Sequence, residues 1–202
     1  MSIKMKDLLK ENFSGTMLGG FVSQTGFHDN ISLAKIVKEK YGEVEEEKID
    51  PLYLKKSLRA LAFQKAYLSQ KNYQGLIIGV DTIVSLNHNI LGKPANLSEA
   101  QQYLHFLSQK THQVISGICV YDSISHTKTC RTETTHVTFK KLSTPEIQNY
   151  CQQYHVLDKA GGYAIQDCQS FFISKIKGSF YNVMGLPVTS LLNILKNYAI
   201  IS

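Results

Sequence analysis

The sequence predicts a mixed α/β fold in which helices flank a sheet that contains antiparallel strand pairs. Short runs of branched apolar residues alternate with longer stretches whose apolar residues recur every three or four positions, as strands and amphipathic helices do. The strand-like segments 113–121 and 127–139 are separated by a short polar turn, which predicts an antiparallel hairpin. The order of elements therefore differs from a pure βαβ array.

The N-terminal part of the chain carries a loop of small residues ahead of a predicted helix. We interpret residues 1–17 as an N-terminal extension and 17–24 as a strand interrupted by two glycines. Ser23 and Thr25 lie in the loop, and Asn30 is a suitable N-cap for the helix that follows. Such a loop either binds an anion through free backbone N–H groups or simply caps the helix.

An acidic cluster at 43–47 precedes the next predicted helix. Charge runs of this kind are usually solvated, but Glu45 and its neighbours are also candidates for a metal or general-base site across a cleft from Asp81. Asp50 and Pro51 then predict a helix start, because proline is favoured at the first helical position.

The stretch 75–94 carries the most informative chemistry of the chain. Residues 76–80 form an apolar run too short for a buried helix, and we predict a buried strand that ends at Asp81. A second strand at 82–86 and a turn at 87–89 return the chain to Lys93. A carboxylate directly after a buried strand needs a cationic partner, and Lys93 and a metal ion are the two candidates.

The C-terminal half supplies the remaining predicted elements. Asn96 and Glu99 form a capping box, and Ser143 and Glu146 form another. Gly161 and Gly162 permit positive φ or a close backbone approach. We further predict a strand at 171–176, a loop at 178–182 and a C-terminal helix that carries Leu191, Leu192 and Leu195.

Composition indicates one globular domain over residues 1–202. The chain is 43% hydrophobic and 19% charged, and no apolar run approaches the roughly 20 residues that cross a bilayer. The charged N-terminus lacks the apolar centre of a signal peptide, so we expect a cytoplasmic protein with no membrane partner. The four scattered cysteines lack zinc-finger spacing, and we expect them to be reduced thiols.

The net charge of +6 favours an anionic partner. A small phosphorylated ligand fits this charge better than nucleic acid, because the sequence lacks a basic stripe interleaved with aromatic residues and lacks a known nucleic-acid motif. A lysine-rich surface that only confers solubility is the third possibility.

Taken together, several motifs resemble the Maf family, also called septum-formation-inhibitor-like proteins. The motifs are Gly-Val-Asp81-Thr82, Gly92-Lys93-Pro94, Leu107-Ser with His112 and Gly117, Thr135-x-Val-x-Phe139, Asp158-Lys-Ala-Gly-Gly-Tyr-x-Ile-Gln166 and Gly185-Leu-Pro187. The resemblance runs from about residue 43 to the C-terminus. It implies a two-lobed mixed α/β fold with an extended central sheet, similar to the inosine triphosphate pyrophosphatases. It also implies a homodimer that uses Mg²⁺ or Mn²⁺ to hydrolyse nucleoside triphosphates to monophosphate and pyrophosphate.

The resemblance also assigns roles to individual residues. Asp81 matches the proton acceptor or metal carboxylate, and Glu45 matches the acidic residue that faces it. Lys65 and Lys93 match lysines beside the phosphates. The set of implied substrate contacts is completed by Thr82 and Gln166, which match residues that set base specificity, and by Ser23 and Thr25. The residues 163–166 resemble the branch that acts on dTTP and UTP.

The sequence departs from the family at the N-terminus. The family's Ser-x-Ser-Pro-Arg-Arg motif corresponds to residues 23–28, where the proline and both arginines are absent. Arginine is the side chain best suited to bidentate phosphate contacts. Asp167 also replaces a glycine of the family pattern. We therefore carry a second hypothesis, a catalytically impaired homologue that binds nucleotide or a protein partner, and a third, a nucleic-acid-binding protein, which rests on charge alone.

Overall fold

The computed structural model describes residues 51–198, and the predicted elements before Pro51 lie outside this part of the chain. Helix α1 spans Pro51–Ser69, so Pro51 lies in its first turn as predicted, and Asp50 lies outside the described residues. The fixed φ of proline suits the first helical turn, where its missing N–H group is not needed.

Five antiparallel strands form the sheet of the described region, in the order β2-β1-β3-β4-β5. Their bounds are Leu76–Leu86 (β1), Asn89–Leu91 (β2), Thr111–Asp122 (β3), Thr127–Phe139 (β4) and Ile173–Lys177 (β5). Strands β3 and β4 pair from Thr111 with Thr138 to Asp122 with Thr127, so the predicted hairpin is confirmed. The mixed α/β class is confirmed as well.

Strand β1 corrects one prediction about Asp81. Residues 76–80 and 82–86 are not two pieces but one continuous strand that contains Asp81, which pairs with Gly117 of β3. Strand β3 pairs with β1 from Leu76 to Ser85 and keeps it extended through the carboxylate, so the charge does not end the strand. The predicted turn is present, with positive φ at Asn87 and His88.

The other helices of the described region cover the sheet. They are α2 (Leu97–Leu107), α3 (Thr144–Gln153), α4 (Ile165–Phe172), α5 (Phe180–Val183) and α6 (Val188–Lys196). The C-terminal helix and the capping box of Ser143 with Glu146 are confirmed. Two predictions were wrong: residues 171 and 172 end α4 and do not begin a strand, and the predicted loop at 178–182 contains the short helix α5.

The two faces of the sheet carry different layers. Helix α1 packs on one face, where Leu54, Leu58 and Leu61 cluster with Ile83 and Ile115. The opposite face carries the larger core, in which side chains from the sheet meet those of α2, α3 and α4. Its fully buried members include Leu104, Leu107, Val114, Val137, Phe139, Ile147, Ile165 and Phe172. Helix α6 covers Ile118 and Val120 on this second face.

The cysteines differ in part from the prediction. Cys119 and Cys130 occupy facing positions on β3 and β4 and are joined by a disulfide, so they are not reduced thiols. Facing residues of an antiparallel pair bring their Cβ atoms close together, and the hairpin register creates this proximity. Cys151 and Cys168 are buried free thiols, and burial raises the pKa of both.

Within residues 51–198, no helix is both long and apolar enough to cross a membrane.

Candidate active site

The centre of the candidate site is an ion pair between Asp81 on β1 and Lys65 on α1. The Lys65 Nζ atom lies 2.5 Å from Asp81 Oδ1 and 3.3 Å from the carbonyl oxygen of Val80. The side chains are 40% and 21% exposed respectively, so a ligand can reach both. Among the described residues, the cation that pairs with Asp81 is therefore Lys65 and not Lys93, and the metal ion at Asp81 stays a prediction.

Two glycines explain why a helix residue reaches the strand. A Cβ atom at Gly79 would collide with the backbone of Ala62, and one at Gly117 would collide with the backbone of Leu58. Gly117 is also the cross-strand partner of Asp81. Because neither position carries a side chain, α1 lies directly on the sheet backbone, and Lys65 needs only its own length to meet the carboxylate.

Thr82 lies on the other face of the sheet. Successive side chains of a strand point to opposite faces, so Thr82 points away from Asp81 and from α1. Its Oγ1 atom lies 2.8 Å from Oγ of Ser116, which donates in turn to the backbone oxygen of Asn182 at 3.5 Å. Gly185 lies in the turn between α5 and α6 and faces the Thr82 hydroxyl, because a Cβ atom at Gly185 would lie 4.0 Å from Thr82 Oγ1.

Asn182 holds the polar side chains on this face of the sheet in place, and the sequence analysis did not identify this residue. Its buried Nδ2 atom donates to the carbonyl oxygen of Val114 and to Oγ1 of Thr135, each at 3.1 Å. Oγ1 of Thr135 also donates to the carbonyl oxygen of Ser179, at 3.1 Å. The only signal in the sequence was an asparagine in a stretch that we interpreted as a loop, where asparagine is common.

Lys93 and Gln166 lie near a junction of two sequence motifs. The N–H group of Gly161 donates to the carbonyl oxygen of Gly92 at 2.9 Å, which joins the Gly-Lys-Pro segment to the Gly-Gly turn. Both glycines of that turn have positive φ, 71° at Gly161 and 73° at Gly162, as the sequence suggested. Lys93 is exposed immediately after Gly92. Gln166 is exposed at the start of α4, in an open surface depression shared with Gln169 and Ser170.

A buried histidine supports the Gly-Gly turn from beneath. His112 Nε2 and the Tyr163 hydroxyl are 2.7 Å apart, and both rings pack edge to face against Phe139. Burial lowers the pKa of His112 to about 3, which keeps the imidazole neutral at physiological pH. Burial also raises the pKa of the Tyr163 hydroxyl. This pair is structural, because His112 is only 1% exposed.

Three predicted site residues, Ser23, Thr25 and Glu45, lie outside the residues that the structure describes. Between Pro51 and Tyr198, no three His, Cys, Asp or Glu side chains lie close enough to form a metal site. Asp81 supplies a carboxylate at the candidate site. This arrangement suits Mg²⁺, which proteins commonly hold with one or two carboxylates and the phosphates of a substrate.

The described residues thus define a mixed α/β protein with a lysine–carboxylate pair beneath one long helix and a separate group of hydroxyl and amide side chains across the sheet. The chain belongs to the Maf-like protein family, whose model matches residues 29–198. Its relatives include proteins named dTTP/UTP pyrophosphatase. The one from Alkaliphilus oremlandii is 40% identical over 158 residues, which cover 77% of this chain and 82% of the relative.

Two further relatives carry the same name. The protein from Desulforamulus reducens is 41% identical over 127 residues, which cover 63% of this chain and 66% of the relative. The protein from Bacillus cereus is 43% identical over 143 residues, which cover 70% and 73% respectively. The predicted family is therefore confirmed.

Proposed function

We propose that this protein is a nucleoside triphosphate pyrophosphatase that hydrolyses dTTP, UTP or modified pyrimidine nucleotides to the monophosphate and pyrophosphate. The observation that carries the proposal is the ion pair of Asp81 and Lys65 on the sheet. It supplies a carboxylate for the attacking water and a cation for the phosphates within one accessible site. Membership in the Maf-like family and the names of the relatives support the substrate class.

Asp81 has two roles in this proposal: it accepts a proton from the attacking water, and it binds a divalent metal. Glu45 is the proposed second carboxylate. When bound, Mg²⁺ or Mn²⁺ neutralises charge on the phosphates and activates the water.

Lys65 positions Asp81 before the substrate binds and then neutralises phosphate charge. An ammonium group has three N–H donors, and the described residues engage two of them, at Asp81 and at the carbonyl oxygen of Val80. The third donor is left for a phosphate oxygen. Lys93 is the second proposed phosphate lysine, and Ser23 and Thr25 are proposed hydroxyl contacts.

Thr82 and Gln166 are the proposed contacts to the base. A hydroxyl and a carboxamide both donate and accept hydrogen bonds, which matches the mixed edge of a pyrimidine. A site built to hydrogen-bond one edge rejects analogues that leave its polar groups unpaired. Thr82→Val should therefore change the preference among bases more than the rate with the best substrate.

The proposal is tested by pyrophosphate release from a panel of nucleoside triphosphates with Mg²⁺ or Mn²⁺. Asp81→Asn should lower the rate by about 10²-fold or more, since it removes the proton acceptor. Lys65→Met should also lower it. Asp122→Asn is the matched control, because Asp122 only caps a turn at the far end of the hairpin, through Ile124 and Ser125. No release above the level of Asp81→Asn with any nucleotide would refute the proposal.

A second candidate follows from residues 23–28, which lack the two arginines of the family motif. A protein without this phosphate contact loses stabilisation of the developing charge, an effect worth about 10²-fold or more in rate. An impaired homologue would bind dTTP in calorimetry without hydrolysing it. Binding without turnover would favour this candidate, and turnover would exclude it.

The remaining features of the proposal rest on family membership. We propose a single domain over residues 1–202, a requirement for a divalent metal, a homodimer and a cytoplasmic location. Removal of metal with EDTA should abolish pyrophosphate release, and Mg²⁺ or Mn²⁺ should restore it. Light scattering coupled to size exclusion should give twice the mass of the chain.

A further inference from the structure

We propose that the exposed sheet face at the β4–β5 edge binds an oligophosphate anion. A pocket of about 250 Å³ lies on this face, and only strand residues line it: Thr111, His136, Thr138, Lys175 and Lys177. No step of the proposed pyrophosphatase reaction uses these side chains. Oligophosphate binding here is therefore independent of the proposed function.

The register of the sheet brings the basic side chains together. His136 of β4 faces Lys177 of β5, and Thr138 faces Lys175. Thr111 of β3 faces Thr138 from the other side. Facing residues on one sheet surface have Cβ atoms about 4.5–5.5 Å apart, so these side chains form one continuous patch.

The charges of the patch are unbalanced among the described residues. Every titratable side chain that lines the pocket is basic, and both lysines are exposed. The described ion pairs of the protein lie elsewhere and use Lys65 and Lys159. Like charges on neighbouring positions of a sheet repel each other, and an anion in the pocket removes that repulsion.

The threonine hydroxyl groups of the pocket add a hydrogen-bond donor. The Oγ1 atoms of Thr111 and Thr138 are 2.8 Å apart, so one hydroxyl donates to the other. The second hydroxyl hydrogen remains for an acceptor in the pocket. Three N–H donors on each lysine and one hydroxyl suit the several oxygens of a phosphate chain.

The spacing of the lysines indicates more than one phosphate group. Lys175 and Lys177 are two residues apart on one strand, which separates their Cα atoms by about 6.5–7 Å. Lysine binds phosphate as a point charge, so two ammonium groups at this spacing suit a diphosphate or triphosphate better than a single phosphate. The pocket volume accommodates such a group.

The pocket is separate from the candidate active site. His136 faces Gln113, which lies four residues along β3 from Gly117, the partner of Asp81, and this corresponds to about 13 Å of strand. The buried contacts between α1 and the residues Ile83 and Ile115 lie between the two places. One nucleotide triphosphate group does not span this distance.

The competing explanation is that the lysines protect a sheet edge. Strand β5 pairs only with β4 in the described region, and lysines on edge strands discourage pairing with other chains. This explanation predicts aggregation when the lysines are replaced, with no change in anion binding.

The test is calorimetric titration of the full chain with pyrophosphate and with tripolyphosphate at fixed ionic strength. Lys175→Gln with Lys177→Gln should weaken binding at one site at least tenfold. Lys71→Gln with Lys196→Gln removes the same charge from two exposed lysines elsewhere and should leave binding unchanged. Asp81→Asn, which alters the active site, should retain the lysine-dependent binding.

Three outcomes overturn the proposal. The first is binding that is equal in the Lys175→Gln/Lys177→Gln variant and in the control. The second is self-association of that variant, by light scattering, without loss of binding. The third is lysine-dependent binding of a single-stranded oligonucleotide when pyrophosphate and tripolyphosphate do not bind, which would assign the patch to nucleic acid.

Discussion

Replacing Gly117 with alanine should separate the two charged groups of the candidate site. A methyl group at this position would collide with the carbonyl group of Leu58 and would lie 3.0 Å from the amide nitrogen of Arg59. Both groups belong to the backbone of α1, so neither can move aside by a side-chain rotation. The Leu58 side chain is also fully buried, which holds this part of the helix in place. Helix α1 must instead rise from the sheet above Asp81.

The size of that collision sets the expected loss of folding free energy and of activity. Relief of the contact requires a displacement of about 1 Å, and overpacking of this kind costs about 1–3 kcal/mol of folding free energy. A displacement of about 1 Å in a reacting geometry costs about 10²-fold in rate. We therefore expect lower stability in urea denaturation and pyrophosphate release reduced by about 10²-fold.

Gly92→Ala is the matched control for stability, because a Cβ atom there meets nothing within 4 Å. It should change the free energy of unfolding by less than about 0.5 kcal/mol. If Gly117→Ala is as stable and as active as the wild-type protein, the close approach of α1 to the sheet does not position Lys65.

Three further predictions concern the core. Burial lowers the pKa of His112 to about 3 from 6.5, so the unfolded protein binds a proton on this side chain at a higher pH than the folded protein does. The free energy of unfolding should therefore be highest above pH 6.5 and fall by about 2 kcal/mol by about pH 5. Urea titrations of His112→Asn should show no such dependence on pH. Asn182→Leu leaves two buried acceptors without its N–H donors and should cost about 1–3 kcal/mol in the same assay; an unchanged midpoint would contradict the network. Phe139→Ala should lower stability by about 3–5 kcal/mol, whereas Phe171→Ala, at a 41% exposed position, should have a much smaller effect.

The parts of the fold that the sequence predicted are those with local signals. The hairpin of β3 and β4 consists of two strand-like segments separated by a short polar turn, and α1 begins at a proline. Helix α4 has no such signal: Ala164 is its N-cap and makes no side-chain capping hydrogen bond. Its burial of Ile165, Cys168 and Phe172 in the core stabilises it, and such tertiary contacts cannot be inferred from local pattern.

The partner of Asp81 shows the same limit at the site. A turn that returns the chain suggested Lys93, but β2 pairs with β1 only at residues 84–86, and the chain leaves the sheet before it reaches Asp81. Lys65 reaches the carboxylate from a helix 16 residues earlier in the sequence. That contact depends on two glycines in two different strands, so spacing within any one element could not reveal it.

The positions of Asp81 and Thr82 have a consequence for the proposed reaction. Neighbouring residues in the sequence suggested one site, yet the strand places the carboxylate beneath α1 and the hydroxyl beside Ser116 on the opposite face. A nucleotide that contacts both side chains must therefore pass around β1. Among the described strands, β1 has a partner on its outer edge only at the three residues paired with β2. Phosphate chemistry and base selection are then carried by different layers of the molecule, so substitutions on one face should alter one without the other.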